Sequence, residues 1–198
     1  DLLKQFKNNV EVKKDIDLLV SQIERCSEIL KKLTLNPTVE DDFIDRDLSI
    51  ADYLNEIIKS FKEISKKEFI LNFDQNSNSL NITKSIEIVY GLRNFIGNAN
   101  KFAETKVFIS IKSDNLLTEI IIEDDGEGYT NDVLRKIGEP YIKSFKSSKK
   151  SKAGLGLGIF IGKTLLEKNY ANILCRNSKT RGGAEISIKW KNKDFLNL

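Results

Sequence analysis

A long amphipathic helix followed directly by a β-hairpin is the feature that most constrains the fold of this chain. Apolar residues recur near one face of a predicted helix over 85–102. The segments 107–111 and 119–122 then alternate or run apolar around a turn at Asp114-Asn115, which predicts two paired strands. Helices and hairpins in such blocks are typical of an α+β fold, here a two-layer α/β sandwich with a mixed sheet and helices on one face.

The segments around this unit extend the same layout. Ser49 is a suitable N-cap for a helix that runs to about Ile64. Further predicted elements are a strand over 69–73, a short strand over 80–82, a helix over 156–168, and a closing hairpin of 171–175 with 184–190. Residues 49–198 are therefore predicted to form one domain.

The N-terminal part predicts a separate helical unit. Its apolar residues follow the spacing 4, 3, 4, 3, 4, 3 of a heptad stripe flanked by charges: Val12, Ile16, Leu19, Ile23, Cys26, Leu30 and Leu33. This pattern favours a homodimer through the helix; an amphipathic helix packed on its own domain is the alternative. Pro37 disfavours helix at the preceding residue. We therefore divide the chain into 1–35, an acidic linker and edge strand over 36–48, and 49–198.

Composition excludes several functions. The chain has no His and two Cys, which excludes Ser-His-Asp chemistry and the usual zinc sites within it. The net charge of +3 comes from 32 basic and 29 acidic residues, so we expect no nucleic-acid partner. The longest stretch free of charge, 153–162, is about half of what a membrane helix needs. No Met occurs, even at position 1, so we expect the chain to be a piece of a longer protein.

Four polar clusters are candidates for a binding site. In the first, Asn94, Asn98 and Lys101 lie at i, i+4 and i+7 and share a helix face. Amide oxygens can ligate Mg²⁺ and the Lys can contact a phosphate, although a plain solvated face has the same pattern.

The second cluster is an apolar strand that leads into Asp124, Gly126 and Gly128. Such an Asp can accept a hydrogen bond from an exocyclic amine, and the glycines let the backbone approach a ligand. An ordinary Asp-Gly turn is the alternative.

The last two clusters are adjacent. The run Gly154-Leu155-Gly156-Leu157-Gly158 opens a predicted helix, whose free N–H groups suit a phosphate. The segment before it carries five lysines among serines and no acid: Lys143, Lys146, Lys149, Lys150 and Lys152. This segment is either a mobile lid over a polyphosphate or a solvated loop, and its position favours a small anion over an extended nucleic acid.

The order of these clusters resembles the sensor histidine kinases. The Asn helix, the Asp-x-Gly-x-Gly turn, the segment from Pro140-Tyr141 to Phe145 and the Gly-rich helix start match their N, G1, F and G2 boxes. Three shorter segments, 24–30, 138–141 and 163–167, are similar to the redox-responsive RegB/PrrB-type kinases. The resemblance implies a Bergerat-type ATP-binding fold, and it makes 1–35 part of a dimerisation and histidine-phosphotransfer hairpin.

The resemblance also implies a role for each motif residue. Asp124 would bind the adenine amine, and Asn98 would hold Mg²⁺ on ATP with Asn94 nearby. The remaining nucleotide-binding residues would be Lys101 and the lid residue Lys143 at the phosphates, Gly126 and Gly128 at the adenine wall and lid hinge, and Gly154, Leu155, Gly156, Leu157 and Gly158 along the phosphates.

The chain departs from the family pattern in two respects. The phosphoacceptor His and its acidic neighbour are absent, so no residue of this chain can be autophosphorylated on His. Ala184 stands where the family often has Thr, which leaves a water-linked adenine contact in doubt.

Cys26 matches the redox-sensing cysteine of the RegB-type kinases, and a small apolar core residue is the alternative for it.

Three functions are open at this point. The favoured one is the catalytic core of a histidine kinase that donates the ATP γ-phosphoryl to a His outside the chain, for relay to an Asp of a response regulator receiver domain. The resemblance further implies the cytoplasmic portion of a bacterial inner-membrane protein. The alternatives are a non-enzymatic dimeric phosphotransfer adaptor with a degenerate kinase-like domain, and a related serine kinase that acts on an anti-sigma partner.

Overall fold

The structure of the protein is a computed structural model that describes residues 49–74, 85–140 and 157–195, together with positions 20 and 142. The chain divides into two units between Arg46 and Asp47, and all the described residues except Val20 belong to the second, Asp47–Leu198. The predicted dimer helix, the linker and edge strand over 36–48 and the short strand over 80–82 lie outside the described residues. So does nearly all of the lysine-rich segment.

The described residues form alternating helices and strands. In chain order these are α1 (Ile50–Lys62), β1 (Glu68–Phe73), α2 (Ile86–Phe102), β2 (Lys106–Ser113), β3 (Leu117–Asp124), α3 (Asn131–Leu134), α4 (Gly158–Lys168), β4 (Asn172–Asn177), β5 (Ala184–Lys191) and α5 (Asn192–Phe195). None of the described helices is both long and apolar enough to span a bilayer.

The strands form one mixed sheet in the order β1-β2-β3-β5-β4. β1 runs parallel to β2, and the other neighbours are antiparallel. Buried and more exposed side chains alternate along β2 and β3, so one face of these two strands is buried. α2 packs on β2 and β3 from that face. The predicted α+β sandwich with a mixed sheet is therefore confirmed.

The core lies between this sheet face and the helices. Its largest fully buried side chains are Trp190, Phe95, Leu54, Ile57, Ile88, Leu92, Ile96, Ile109, Ile120, Ile122 and Leu166. They come from α1, α2, α4 and the three central strands, so one continuous apolar layer fixes the helices to the sheet.

The predicted starts of α1 and α2 are also found, whereas α4 begins at Gly158, two residues after its predicted start. Ser49 caps α1 with a capping box, in which its side chain accepts from Asp52 N and the Asp52 carboxylate accepts from Ser49 N at 3.1 Å. Ser85 caps α2 by accepting from Ile88 N at 3.4 Å. α1 ends at Lys62, two residues before the predicted end, and Ile64 beyond it is 79% exposed, so it does not extend the buried face of the helix.

Candidate functional site

Two helices approach each other unusually closely beside the candidate site. A Cβ on Gly91 of α2 would lie 2.5 Å from Leu166 Cγ of α4, and one on Gly162 of α4 would lie 3.0 Å from the Phe95 ring and 3.2 Å from the Gly91 carbonyl oxygen. Side chains at either glycine would separate the helices. The pairs Gly91–Leu166 and Phe95–Gly162 progress in opposite directions along the chain, so α2 and α4 run antiparallel.

One turn further along this pair, Asn98 of α2 faces the start of α4. Asn98 Oδ1 is 4.0 Å from the position of a Cβ on Gly158, the first residue of α4. The N-cap of α4 is Leu157, whose side chain makes no capping hydrogen bond. Within the described residues the Asn98 amide has no hydrogen-bond partner. An unengaged amide oxygen therefore lies beside an uncapped helix N-terminus, an arrangement that suits an anion together with a cation.

The two other predicted residues of α2 have different surroundings. Asn94 Nδ2 donates to the Tyr90 carbonyl oxygen at 2.8 Å, which fixes the amide and leaves Oδ1 as an acceptor. Lys101 Nζ lies 5.2 Å from the centre of the Phe102 ring. Both are partly exposed, so their side chains are accessible to a ligand at this end of the helix.

Asp124 ends β3 and is only 3% exposed. Its Oδ1 accepts hydrogen bonds from Gly126 N at 2.9 Å and from Ala184 N at 3.2 Å. Within the described part of the chain, Oδ2 accepts none. Burial raises the pKa of Asp124 above its ordinary value, and the two backbone donors offset this only in part. The backbone thus holds one oxygen and leaves the other available to an external donor.

Two glycines allow this carboxylate to sit where it does. A Cβ on Gly126 would lie 3.0 Å from Asp124 Oδ1 and would overlap the Phe102 carbonyl oxygen. A Cβ on Gly183 would lie 2.7 Å from the Asp124 carbonyl carbon and would overlap both O and Oδ1 of that residue. Gly183 is not among the predicted site residues. The Gly182-Gly183 pair directly before β5 is the sequence feature that could have indicated a close backbone approach there.

The chain after Gly126 is fixed by a residue that the sequence did not single out. Gly128 has φ +72, the left-handed region that favours glycine. Tyr129 N donates to Asn177 Oδ1 at 2.6 Å, and Asn177 Nδ2 donates to the Tyr129 carbonyl oxygen at 3.0 Å. Asn177 ends β4, so its amide ties the Asp-x-Gly-x-Gly turn to the sheet.

Asp125, next to the site carboxylate, ties the end of α2 to the end of β3. It accepts from Glu104 N at 2.8 Å, from Thr105 Oγ1 at 2.5 Å, and from the N–H groups of Thr105 and Lys106. Burial raises the pKa of Asp125, but these hydrogen bonds outweigh it and lower the pKa to about 2. No local sequence pattern indicates this role of Asp125, because the groups that donate to it lie about twenty residues away in the chain.

Lys67 also stabilises the end of α2, next to the segment that Asp125 binds. Its Nζ donates to the carbonyl oxygens of Ala103, at 2.5 Å, and of Asn100. These belong to the last turn of α2 and its C-cap, where helix carbonyls otherwise have no partner. Lys67 also lies close enough for its charge to lower the pKa of Asp124 slightly. The helix that carries Asn98 is thus anchored beside Asp124.

The structure brings part of the predicted site together. Asp124, Gly126 and Gly128 form one turn, and Asn98 faces Gly158 at the start of α4, where Leu157 is the N-cap. Lys143, Gly154, Leu155, Gly156 and Cys26 lie outside the described residues. Together the described groups offer a buried acceptor for an amine at one place and an amide beside a helix N-terminus at another, which fits a nucleotide with its base and phosphates held separately.

Comparisons with known proteins agree with this geometry. Residues 83–194 match the family described as histidine kinase-, DNA gyrase B-, and HSP90-like ATPase. Sensor histidine kinase RegB of Cereibacter sphaeroides is 29% identical over 96% of this chain and 45% of its own length. Sensor histidine kinase CssS of Bacillus subtilis is 29% identical over 92% of this chain and 39% of its own length. The chain thus spans less than half the length of these relatives.

Solved histidine kinase structures share the fold. The catalytic domain of histidine kinase ThkA superposes with a TM-score of 0.60 at 18% identity, over 73% of this chain and 95% of that one. Full-length ShkA in complex with AMPPNP gives a TM-score of 0.61 at 19% identity, over 95% of this chain and 40% of that one.

Proposed function

Since the chain belongs to the family of histidine kinase-, DNA gyrase B- and HSP90-like ATPases, we propose that it is the ATP-binding catalytic core of a two-component sensor histidine kinase. The observation that carries this proposal is Asp124, a buried carboxylate with one oxygen held by backbone N–H groups and the other without a hydrogen bond in the described structure. Oδ2 is not among the solvent-shielded, unpartnered side-chain atoms of the described structure, so a ligand donor can reach it and make a hydrogen bond to a charged group.

In this proposal Asp124 recognises the base. Its Oδ2 would accept a hydrogen bond from the exocyclic amine of adenine. The hydrogen bonds from Gly126 N and Ala184 N fix the carboxylate, so little reorganisation accompanies binding. Both hydrogen bonds to Asp124 Oδ1 come from backbone N–H groups, so they do not depend on a hydroxyl at position 184.

The phosphates would lie at the start of α4. The N–H groups after Leu157 carry no side-chain cap, and Gly158 leaves space in front of Asn98. The amide oxygen of Asn98, with that of Asn94 nearby, fits a Mg²⁺ ion. When bound, Mg²⁺ would neutralise phosphate charge. Together with Leu157 and Gly158, we assign five further residues to phosphate binding: Lys101, Lys143, Gly154, Leu155 and Gly156.

Phosphoryl transfer in such a site depends on positioning and on charge neutralisation. The residues of this chain would hold ATP by its base and phosphates so that the γ-phosphoryl faces an acceptor. The chain contains no His, so we assign the acceptor to sequence outside it. An Asp of a response regulator receiver domain would take the phosphoryl group next.

The relatives' names as sensor histidine kinases support a proposal for the wider assembly. We assign residues 1–35 to a homodimeric helical hairpin, 36–48 to a linker and 49–198 to the ATP-binding domain. Cys26 is a redox candidate because it lies on the predicted dimer stripe. We place the chain on the cytoplasmic side of a bacterial inner-membrane protein.

Calorimetric titration with ADP, with and without Mg²⁺, tests the proposal. The wild-type chain should bind ADP more tightly with Mg²⁺. Asp124→Asn should weaken binding by roughly 10- to 100-fold, since a hydrogen bond to a charged group contributes about 1.5–3 kcal/mol. Asp114→Asn is the matched control, because Asp114 lies in the turn at the opposite end of the β2–β3 hairpin. This variant should bind ADP with the affinity of the wild type.

Two outcomes would contradict the proposal. A folded wild-type chain that does not bind ADP would favour the non-enzymatic adaptor, with the motifs retained only as scaffold. Equal ADP affinity of Asp124→Asn and the wild type would show that Asp124 does not recognise the base.

A further inference from the structure

Asn177, the last residue of β4, binds the backbone of Tyr129 with both atoms of its side-chain amide. Asn177 Oδ1 accepts from Tyr129 N at 2.6 Å, and Asn177 Nδ2 donates to the Tyr129 carbonyl oxygen at 3.0 Å. One amide thus makes the pair of hydrogen bonds that a residue of a neighbouring antiparallel strand would make. It holds the Asp-x-Gly-x-Gly turn against the end of the β4–β5 hairpin.

The turn and the hairpin fit closely together. A Cβ on Gly128 would lie 2.7 Å from Asn177 Oδ1 and 3.3 Å from the Gly183 carbonyl oxygen. Asn177 ends β4 and Gly183 directly precedes β5, so the turn lies against both sides of the hairpin end. A movement of the turn away from this position would break both hydrogen bonds of the Asn177 amide.

The two segments that this amide joins supply the two donors to Asp124. Gly126 N lies in the turn and Ala184 N begins β5, and both donate to Asp124 Oδ1. Asn177 is the register partner of Ala184 in the sheet. Because Asn177 pairs with Ala184 through its backbone and holds the turn through its side chain, it fixes the two donors relative to each other.

The hairpin end has a second attachment that does not involve the Asn177 amide. Ser178 Oγ donates to Glu123 Oε1 of β3 at 2.6 Å, and Ser178 N donates to the Gly183 carbonyl oxygen at 2.8 Å. Removal of the Asn177 amide would therefore release the turn while the hairpin stays attached to β3. The change would be confined to the donor that the turn supplies.

We infer that Asn177 is a positioning residue of the nucleotide site, which acts on base recognition through Asp124. This inference rests on the proposed function, in which Asp124 Oδ2 binds the adenine amine. Hydrogen bonds that hold Oδ1 from two sides set the direction of Oδ2, so a released turn lets the carboxylate rotate. The lost affinity then belongs to the amine contact, because the proposed phosphate site lies elsewhere, at the start of α4.

Asn177→Ala tests the inference, since it removes both hydrogen bonds at an exposed position. Calorimetric titrations would compare ADP with IDP, whose hypoxanthine has a carbonyl where adenine has the amine. We expect ADP to bind roughly 3- to 10-fold more weakly, the effect of losing about one hydrogen bond, and IDP to bind as it does to the wild type. Asn172→Ala, at an exposed asparagine that begins β4, is the matched control and should leave both affinities unchanged.

A double-mutant cycle separates positioning from a general loss of structure. Asp124→Asn has already lost the charged contact through which Asn177 acts. In that background Asn177→Ala should therefore change ADP affinity by less than about 2-fold, since two residues that act as one unit are not additive. If a melting curve shows that Asn177→Ala does not fold, Asn177→Asp takes its place, because it keeps an oxygen that accepts from Tyr129 N.

The outcomes separate this inference from the proposed function. Unchanged ADP affinity in Asn177→Ala would overturn the inference. Equal losses of ADP and IDP affinity, or equal losses with and without the Asp124 carboxylate, would also overturn it, because Asn177 would then act on the whole domain. In each of these cases the wild type still binds ADP and the proposed function stands. If the wild type does not bind ADP, both fail.

Discussion

Gly183 lies so close to Asp124 that no side chain fits between them. A Cβ on Gly183 would be 2.7 Å from the Asp124 carbonyl carbon and would overlap its O and Oδ1. The two residues are close because β3 and β5 are antiparallel neighbours, with Glu123 paired to Glu185. The position of the site carboxylate thus depends on a residue that contacts no ligand in the proposed mechanism.

Gly183→Ala should therefore weaken ADP binding by displacing Asp124. We expect at least a 10-fold loss of affinity, and a loss of stability of about 1–3 kcal/mol from overpacking. Gly182→Ala is the matched control: Gly182 has φ +84 but nothing lies within 4 Å of its Cβ position. The control should be destabilised by about 1 kcal/mol through backbone strain, yet its folded form should bind ADP normally. Calorimetry below both melting temperatures would measure this, and equal affinities would contradict the argument.

Asp125 should contribute stability that depends on pH. Its pKa falls from the ordinary 3.8 to about 2 on folding, so the contribution is present above pH 4 and is lost as the pH falls toward 2. Asp125→Asn should lose about 1–2 kcal/mol at pH 7, after allowance for partial solvent screening. Urea unfolding at pH 7, 4 and 3 should show the difference from the wild type shrinking with acidity.

The exposed carboxylate of Asp132 provides the comparison for that experiment. Asp132→Asn should keep the wild-type pH dependence, because no hydrogen bond engages the Asp132 side chain in the described part of the chain. A constant destabilisation of Asp125→Asn from pH 7 to pH 3 would show that charge on Asp125 is not the source of its effect.

Lys67 should stabilise the last turn of α2. Lys67→Met keeps the aliphatic stem and removes the ammonium that donates to the Ala103 and Asn100 carbonyls. We expect a loss of about 1–3 kcal/mol and faster amide exchange at Ala103, whose N–H donates to Ala99 O at 2.8 Å. Lys66→Met, at an exposed neighbour, is the control. Unchanged exchange at Ala103 in Lys67→Met would show that the helix end does not depend on this lysine.

The sequence by itself determined the elements and the family. The apolar periodicity of 85–102 and the alternation in 107–122 are local, so they predicted α2 and the β2–β3 hairpin, and Ser49 and Ser85 marked the helix starts. Asp124 and Asn98 were identified as candidates because their motifs are short and contiguous. The structure places both where those motifs suggest a ligand, and their roles toward ADP stay predictions.

Only the tertiary structure decided what supports these candidates. Gly91 and Gly162 bring Asn98 to the start of α4, Gly183 makes room for Asp124, and Asn177 holds Tyr129. These pairs are separated by about 50 to 70 residues in the chain, and their residue types are common in turns and helices. Sequence periodicity reports which face of an element is buried, whereas contacts between elements depend on how those faces pack.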